Sequence, residues 1–124
     1  MPKVSIVIPV KDCSKTISKS IESVLNQTFE DFEIVVVNNN CSDDTIEKIK
    51  SFNDPRIVHF NCDTPGIVPA LNTGLYQARA NFIARQDGDD VWYPEKLEKQ
   101  MSLFEEKPET DICGTQIKLV KTTG

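Results

Sequence analysis

Three carboxylates fall within four residues at Asp87-Gly88-Asp89-Asp90. Charges of one sign crowd together only at a cost, unless something positive shares them. A divalent cation is the simplest partner, and hard oxygen ligands favour Mg²⁺ or Mn²⁺, ions that also bridge diphosphates. If the segment is extended, Asp87 and Asp89 point the same way and Asp90 is displaced from them. Gly88 between them lets a ligand come close to the backbone. The same run also fits a plain acidic loop capping the helix that follows, because acids favour helix N-termini. Both readings suit Asp87 and Asp89, while Asp90 suits capping better.

The elements that must position this cluster alternate along the chain. Residues 4–9 form a β-branched run, and Ile17, Ile21, Val24 and Leu25 then recur at helical spacing within residues 14–27. Residues 32–37 repeat the strand pattern, and residues 42–52 carry Ile46, Ile49 and Phe52 on one helical face. A short strand over 56–60, a helix over 68–79 marked by Leu71, Leu75 and Ala78, and a strand over 81–86 follow. Pro94 opens a helix whose Leu97, Met101 and Phe104 share a face; Pro108 stops it, and residues 111–120 resume as strand. Strands apolar on both faces and separated by helices predict an α/β fold, a mostly parallel sheet with helices on both faces. Ligands of such sheets sit beyond the carboxyl ends of the strands. Lys11 and Asp12, then Asn38, Asn39 and Asn40, then the acidic run all fall at that rim.

Composition narrows the function. A chain of 124 residues, 39% hydrophobic, buries one core, so residues 1–124 are expected to form a single domain. With 19 acidic against 14 basic residues and a net charge of -5, a surface that tracks nucleic-acid phosphates is not expected. Cys13, Cys41, Cys62 and Cys113 form no C-x-x-C pair, which fits reduced thiols in a cytoplasmic setting. The apolar run over residues 4–10 is far too short to span a membrane, so any membrane contact is expected to be peripheral or supplied by further sequence.

The chain opens V-S-I-V-I-P-V and continues through Ser23-Val24-Leu25-Asn26-Gln27-Thr28-Phe29. Ala70-Leu71-Asn72-Thr73-Gly74-Leu75, Phe82-Ile83-Ala84-Arg85-Gln86-Asp87-Gly88-Asp89-Asp90 and Pro94-Glu95-Lys96-Leu97-Glu98-Lys99-Gln100 follow. In order and spacing these segments resemble the family 2 glycosyltransferases of the GT-A fold, the first two looking like that family's first strand and helix. A D-x-D pattern alone is weak, whereas this ordered set spans nearly the whole chain. The resemblance implies transfer of a sugar from a UDP-sugar or similar donor to a glycan-type acceptor, metal-dependent and inverting. It puts the base near Pro9, Val10 and Asp12, the ribose near Asp87, Gly88 among the nucleotide-sugar contacts, and Mn²⁺ or Mg²⁺ on Asp87 and Asp89.

Two departures qualify it. The family carries an acidic pair with glycine and serine after strand two, whereas this chain has Asn38-Asn39-Asn40-Cys41-Ser42-Asp43. An Asn38 amide can still accept from a base N–H and donate to a base carbonyl, so binding can survive with changed selectivity. Asn40 in place of glycine is tolerable because Asn visits left-handed backbone readily. The run also reads as a turn and helix cap with Ser42 as the cap, a reading preferred for Asn39, Asn40 and Ser42 and level with base contact for Asn38. Second, the carboxylate that acts as general base in inverting members lies in a segment past residue 124. The chain is therefore expected to be a donor-binding portion, without the acceptor half and inactive alone.

Single residues receive narrower readings. His59 is expected to be structural, Trp92 and Tyr93 to pack, and Arg85 either to meet a phosphate or to pair with a neighbouring aspartate. A non-catalytic nucleotide-sugar-binding module is the alternative function, distinguished by binding without turnover. A phosphoacceptor signalling domain would need an acidic pair after strand one, where Lys11-Asp12 supplies one acid, and a nucleotidyltransferase would need a glycine-rich loop there. The oligomeric state is left open.

Overall fold

The computed structural model describes residues 1–111 and 113–114, and the strand expected over 111–120 falls largely outside them. The expected alternation is present: β1 (Val4–Val10), α1 (Ile17–Leu25), β2 (Phe32–Asn38), α2 (Thr45–Lys50), β3 (Ile57–Asn61), α3 (Ile67–Gln77), β4 (Phe82–Arg85) and α4 (Lys96–Glu106). Among the described residues four strands form one sheet in the order β3-β2-β1-β4, and each of their pairings is parallel.

The sequence explains which strands are central. Every residue of β1 is buried, as are Phe32 to Val37 of β2, because continuous β-branched runs offer apolar side chains to both faces. In β4 burial alternates, as an edge strand allows.

Each face of the sheet has its own core. Ile6, Ile8, Val10, Ile34 and Val36 pack with Ile17, Ile21 and Val24 of α1, Ile49 of α2 and Leu97 and Met101 of α4. Val7, Val35 and Val37 point the other way and meet Ala70 of α3. The second interface differs from expectation. Leu75 is half exposed, and small residues, Ala70 and Gly74, face the sheet instead. A Cβ on Gly74 would come within 2.3 Å of Val7 Cγ1, so the helix lies too close for any side chain there.

An ion pair between a buried carboxylate and an exposed guanidinium joins the layers on the α3 side. Glu33, 3% exposed, accepts from Ser5 Oγ at 2.6 Å, from the Arg79 backbone N–H at 2.8 Å and from Arg79 Nε at 2.9 Å. Burial pushes the Glu33 carboxyl up, but these bonds outweigh it and hold the group below its usual range.

Register fixes the functional rim. Val10 pairs with Asn38, so β1 and β2 end together, whereas Arg85 at the end of β4 pairs with Val7. The chain leaving β4 therefore departs below the rim and runs beside α1. The order reverses at β1, which is where parallel α/β sheets open a crevice for ligands.

Candidate functional site

The acidic run lies in that crevice. After β4 the backbone turns rather than staying extended, with Asp90 N–H donating to the Asp87 carbonyl at 3.1 Å. The turn corrects the expectation for Asp90: carboxylate oxygens of Asp87, Asp89 and Asp90 lie within 4.8 Å of one another. Burial, then Asp87 and Asp89, raise the Asp90 carboxyl above its ordinary range. Arg85 reaches Asp87 Oδ1 through Nε and Nη2, both at 3.4 Å, the pairing with a neighbouring aspartate that its position allowed. Such exposed pairs contribute little to stability.

Asp12 and the asparagine loop make the opposite wall. Asp12 adopts a positive φ of 49°, and its Oδ1 accepts from the Ser42 N–H at 2.6 Å and the Asp43 N–H at 3.2 Å. Its carboxylate thus ties the loop after β1 to the loop after β2. Asp43 accepts from the Thr45 hydroxyl and N–H and from Ser14 N–H, and the Thr45 hydroxyl leads in holding its carboxyl below the usual range. Ser42 therefore does not cap α2, which starts later, at Thr45.

Among the asparagines, Asn40 takes the left-handed conformation expected of it, φ 61°. Asn39 is buried, with Nδ2 donating to the Gly66 carbonyl at 2.6 Å. Asn38 Oδ1 accepts from Cys41 N–H at 3.0 Å, an assignment the donor forces, since only the oxygen can accept.

Between these walls lies an open cleft of about 800 Å³. Of the sequence-predicted residues, Pro9, Asp12, Gly88 and Asp89 line it. Outside that lining, the Val10 side chain is in the core, Asn38 is bonded to the Cys41 N–H, and Asp87 is paired with Arg85. Lys11, Lys15 and Thr16 also line the cleft. Sequence reasoning left Lys15 and Thr16 out; their signal was position alone, directly after a rim-ending strand. Gly88 makes room in a specific way, since a Cβ there would meet Cys13 Sγ at 2.5 Å. Burial and the nearby Cys41 thiol push the Cys13 thiol up to about 11, so it packs as a neutral group.

The donor set suits a hard divalent ion. Three carboxylate oxygens within 4.8 Å are close to what one ion spans at metal–oxygen distances of about 2.0–2.2 Å. His59 is exposed and lines a separate cleft with Lys50 and Asp54. Burial and Lys50 lower its pKa. Trp92 packs in the core as expected, whereas Tyr93 is exposed. Among the described residues no helix is long and apolar enough to cross a membrane.

Comparisons with known proteins bear on the family and the fold. The family model described as Glycosyl transferase family 2 matches residues 5–122. Over 102 residues the chain is 43% identical to the Escherichia coli UDP-Glc:alpha-D-GlcNAc-diphosphoundecaprenol beta-1,3-glucosyltransferase WfgD, covering 82% of this chain and 40% of that protein. It is 35% identical over 106 residues to an E. coli chondroitin synthase, covering 84% of this chain and 16% of that one. The chain thus spans well under half the length of these relatives. Among solved structures, S. aureus TarS in complex with UDP superposes with a TM-score of 0.76 at 28% identity, over 84% of this chain and 32% of that one. The Pyrobaculum calidifontis mannosyltransferase PcManGT, in complex with GDP-Man and Mn²⁺, shares the fold at 21% identity with a TM-score of 0.76, over 83% of this chain and 32% of that one.

Proposed function

The chain belongs to glycosyl transferase family 2, and from that premise we propose that it forms the donor side of a metal-dependent, inverting glycosyltransferase that uses a UDP-sugar. The observation that carries the reading is the convergence of Asp87, Asp89 and Asp90 oxygens within 4.8 Å at a cleft that Asp89 itself lines. A bare diphosphate is repelled by such a wall. Asp87 and Asp89 would hold Mn²⁺ or Mg²⁺, which when bound would supply positive charge for the diphosphate of the donor.

The chain's own residues do the rest. Asp89 lines the cleft, and Asp87, its carboxylate within 4.8 Å of that of Asp89, is paired with Arg85. Lys11 and Lys15 bring positive charge to the same walls and offset the acids. Pro9 and Asp12 bound the nucleoside end; Val10 offers backbone only, and Gly88 lets the diphosphate approach the chain closely. The bond from Cys41 N–H fixes which end of the Asn38 amide is oxygen, and its Nδ2 is then a donor that suits a base carbonyl such as those of uracil.

UDP as the nucleotide is supported by the TarS complex with UDP and by the UDP-Glc in the name of WfgD. The acceptor is proposed to be a glycan or glycan-bearing molecule, and the base that takes its proton to come from sequence outside this donor portion. A cytoplasmic site of action, with peripheral contact at the membrane, completes the proposal. Asp89→Asn tests it: Mn²⁺-dependent UDP binding is lost while far-UV dichroism is unchanged. UDP binding equal to that of the parent would sink the reading.

A further inference from the structure

Polar side chains placed on the buried side of a helix cost free energy unless each finds a partner. Along α1, beside the apolar stripe of Ile17, Ile21 and Val24, runs a second stripe: Thr16, Ser20, Ser23 and Gln27, at steps of four, three and four residues. Serine is also a poorer helix former than alanine, so local propensity does not explain the choice. Every one of these side chains bonds the backbone of the acidic loop or the segment after it. Thr16 Oγ1 donates to the Gly88 carbonyl at 2.9 Å, and Ser20 Oγ to the Asp87 carbonyl at 3.1 Å. Ser23 Oγ accepts from Trp92 N–H at 3.0 Å, and Gln27 donates to the Tyr93 carbonyl at 2.7 Å while accepting from Leu97 N–H at 3.0 Å.

One further residue closes the arrangement. Gln86 is 1% exposed, and its Nε2 donates both to Ser20 Oγ at 2.8 Å and to the Asp90 carbonyl at 2.8 Å. Its Oε1 is buried and has no hydrogen-bond partner among the described residues. Turning the amide over would set that oxygen against the Asp90 carbonyl, so the two donated bonds fix its orientation even though they leave an acceptor unpaired. The chain of bonds from the Asp90 carbonyl through Gln86 and Ser20 to the Asp87 carbonyl holds both ends of the turn.

We propose that Ser20 and Gln86 are positioning residues for the metal-binding carboxylates: buried and out of reach of any ligand in the cleft, they hold the turn that brings Asp87, Asp89 and Asp90 together. This rests on the metal reading of the acidic loop made above.

The test compares this chain with Ser20→Ala, Gln86→Met and a control, Ser5→Ala, which loses an equally buried hydroxyl on the other face of the sheet. Mn²⁺ affinity is read by electron paramagnetic resonance, and loop order by amide hydrogen exchange at Asp90 and Trp92, whose N–H groups are bonded within the loop or to Ser23. Ser20→Ala and Gln86→Met are each expected to weaken Mn²⁺ about fivefold, the effect of one net hydrogen bond, and to speed exchange at both amides. Ser5→Ala is expected to lower thermal stability without moving either reading. Parental Mn²⁺ affinity and exchange in both loop variants, or equal changes in Ser5→Ala, overturn the proposal. If the parent itself binds no Mn²⁺, the metal reading fails, and the exchange at Asp90 and Trp92 alone decides whether the two residues hold the turn.

Discussion

The Ser42 N–H donates to Asp12 Oδ1 at 2.6 Å, joining two loops that leave adjacent strands thirty residues apart. Asp12 also accepts from the Asp43 N–H and the Ser42 hydroxyl, so one carboxylate organises a whole wall of the cleft. Asp12→Asn keeps an acceptor oxygen and is expected to preserve both stability and nucleotide affinity to within a few-fold. Asp12→Ala removes every acceptor and is expected to cost about 1 kcal/mol of stability and to weaken UDP binding, read by urea denaturation and calorimetry. Equal behaviour of the two variants would show that the carboxylate does not organise the wall.

Gly88 and Cys13 meet across the floor of the cleft. A Cβ on Gly88 would lie 2.5 Å from Cys13 Sγ and 3.3 Å from Cys13 Cβ, with no backbone strain to add to the clash. Gly88→Ala is therefore expected to displace the acidic loop and to weaken Mn²⁺-dependent UDP binding about tenfold, roughly 1.4 kcal/mol. Adding Cys13→Ala removes the sulfur and should recover most of that loss. A double variant no better than Gly88→Ala alone would place the damage elsewhere.

Glu33 gives the fold an acid-sensitive fastening. Its folded pKa is lowered by the bonds from Ser5 and Arg79, so its stabilisation is fully present above the unfolded value near 4.5 and is lost as pH falls through the folded value. Glu33→Gln is expected to lower stability at pH 7 by about 1–2 kcal/mol, because Arg79 is 60% exposed and returns to water once its partner is gone. The variant should also lose less stability than the parent between pH 5 and pH 3. Urea midpoints across that range check both; parallel curves would rule Glu33 out as the source of acid sensitivity.

Much of this was legible in the residues themselves. Central strands must be apolar on both faces, so the runs at residues 4–9 and 32–37 announced β1 and β2 and, with them, the rim where Asp12 and Asp89 lie. What stayed hidden depends on contacts between distant residues. The start of α2 at Thr45 follows from Ser42 and Asp43 giving their N–H groups to Asp12 rather than to a helix end. Leu75 looked like core because hydrophobic spacing rewards large side chains, whereas α3 lies against the sheet through Gly74, which carries none. Asp90 looked displaced because an extended loop was assumed, and the turn is set by Gln86 and Ser20, the latter seventy residues upstream of Asp90.

The central claim is that the acidic wall holds nucleotide only through a divalent ion. Titrating UDP into the protein by calorimetry, once with Mn²⁺ and once with excess EDTA, tests it most directly. The account predicts saturable binding with Mn²⁺ and no measurable binding in EDTA. Unchanged affinity in EDTA would contradict it.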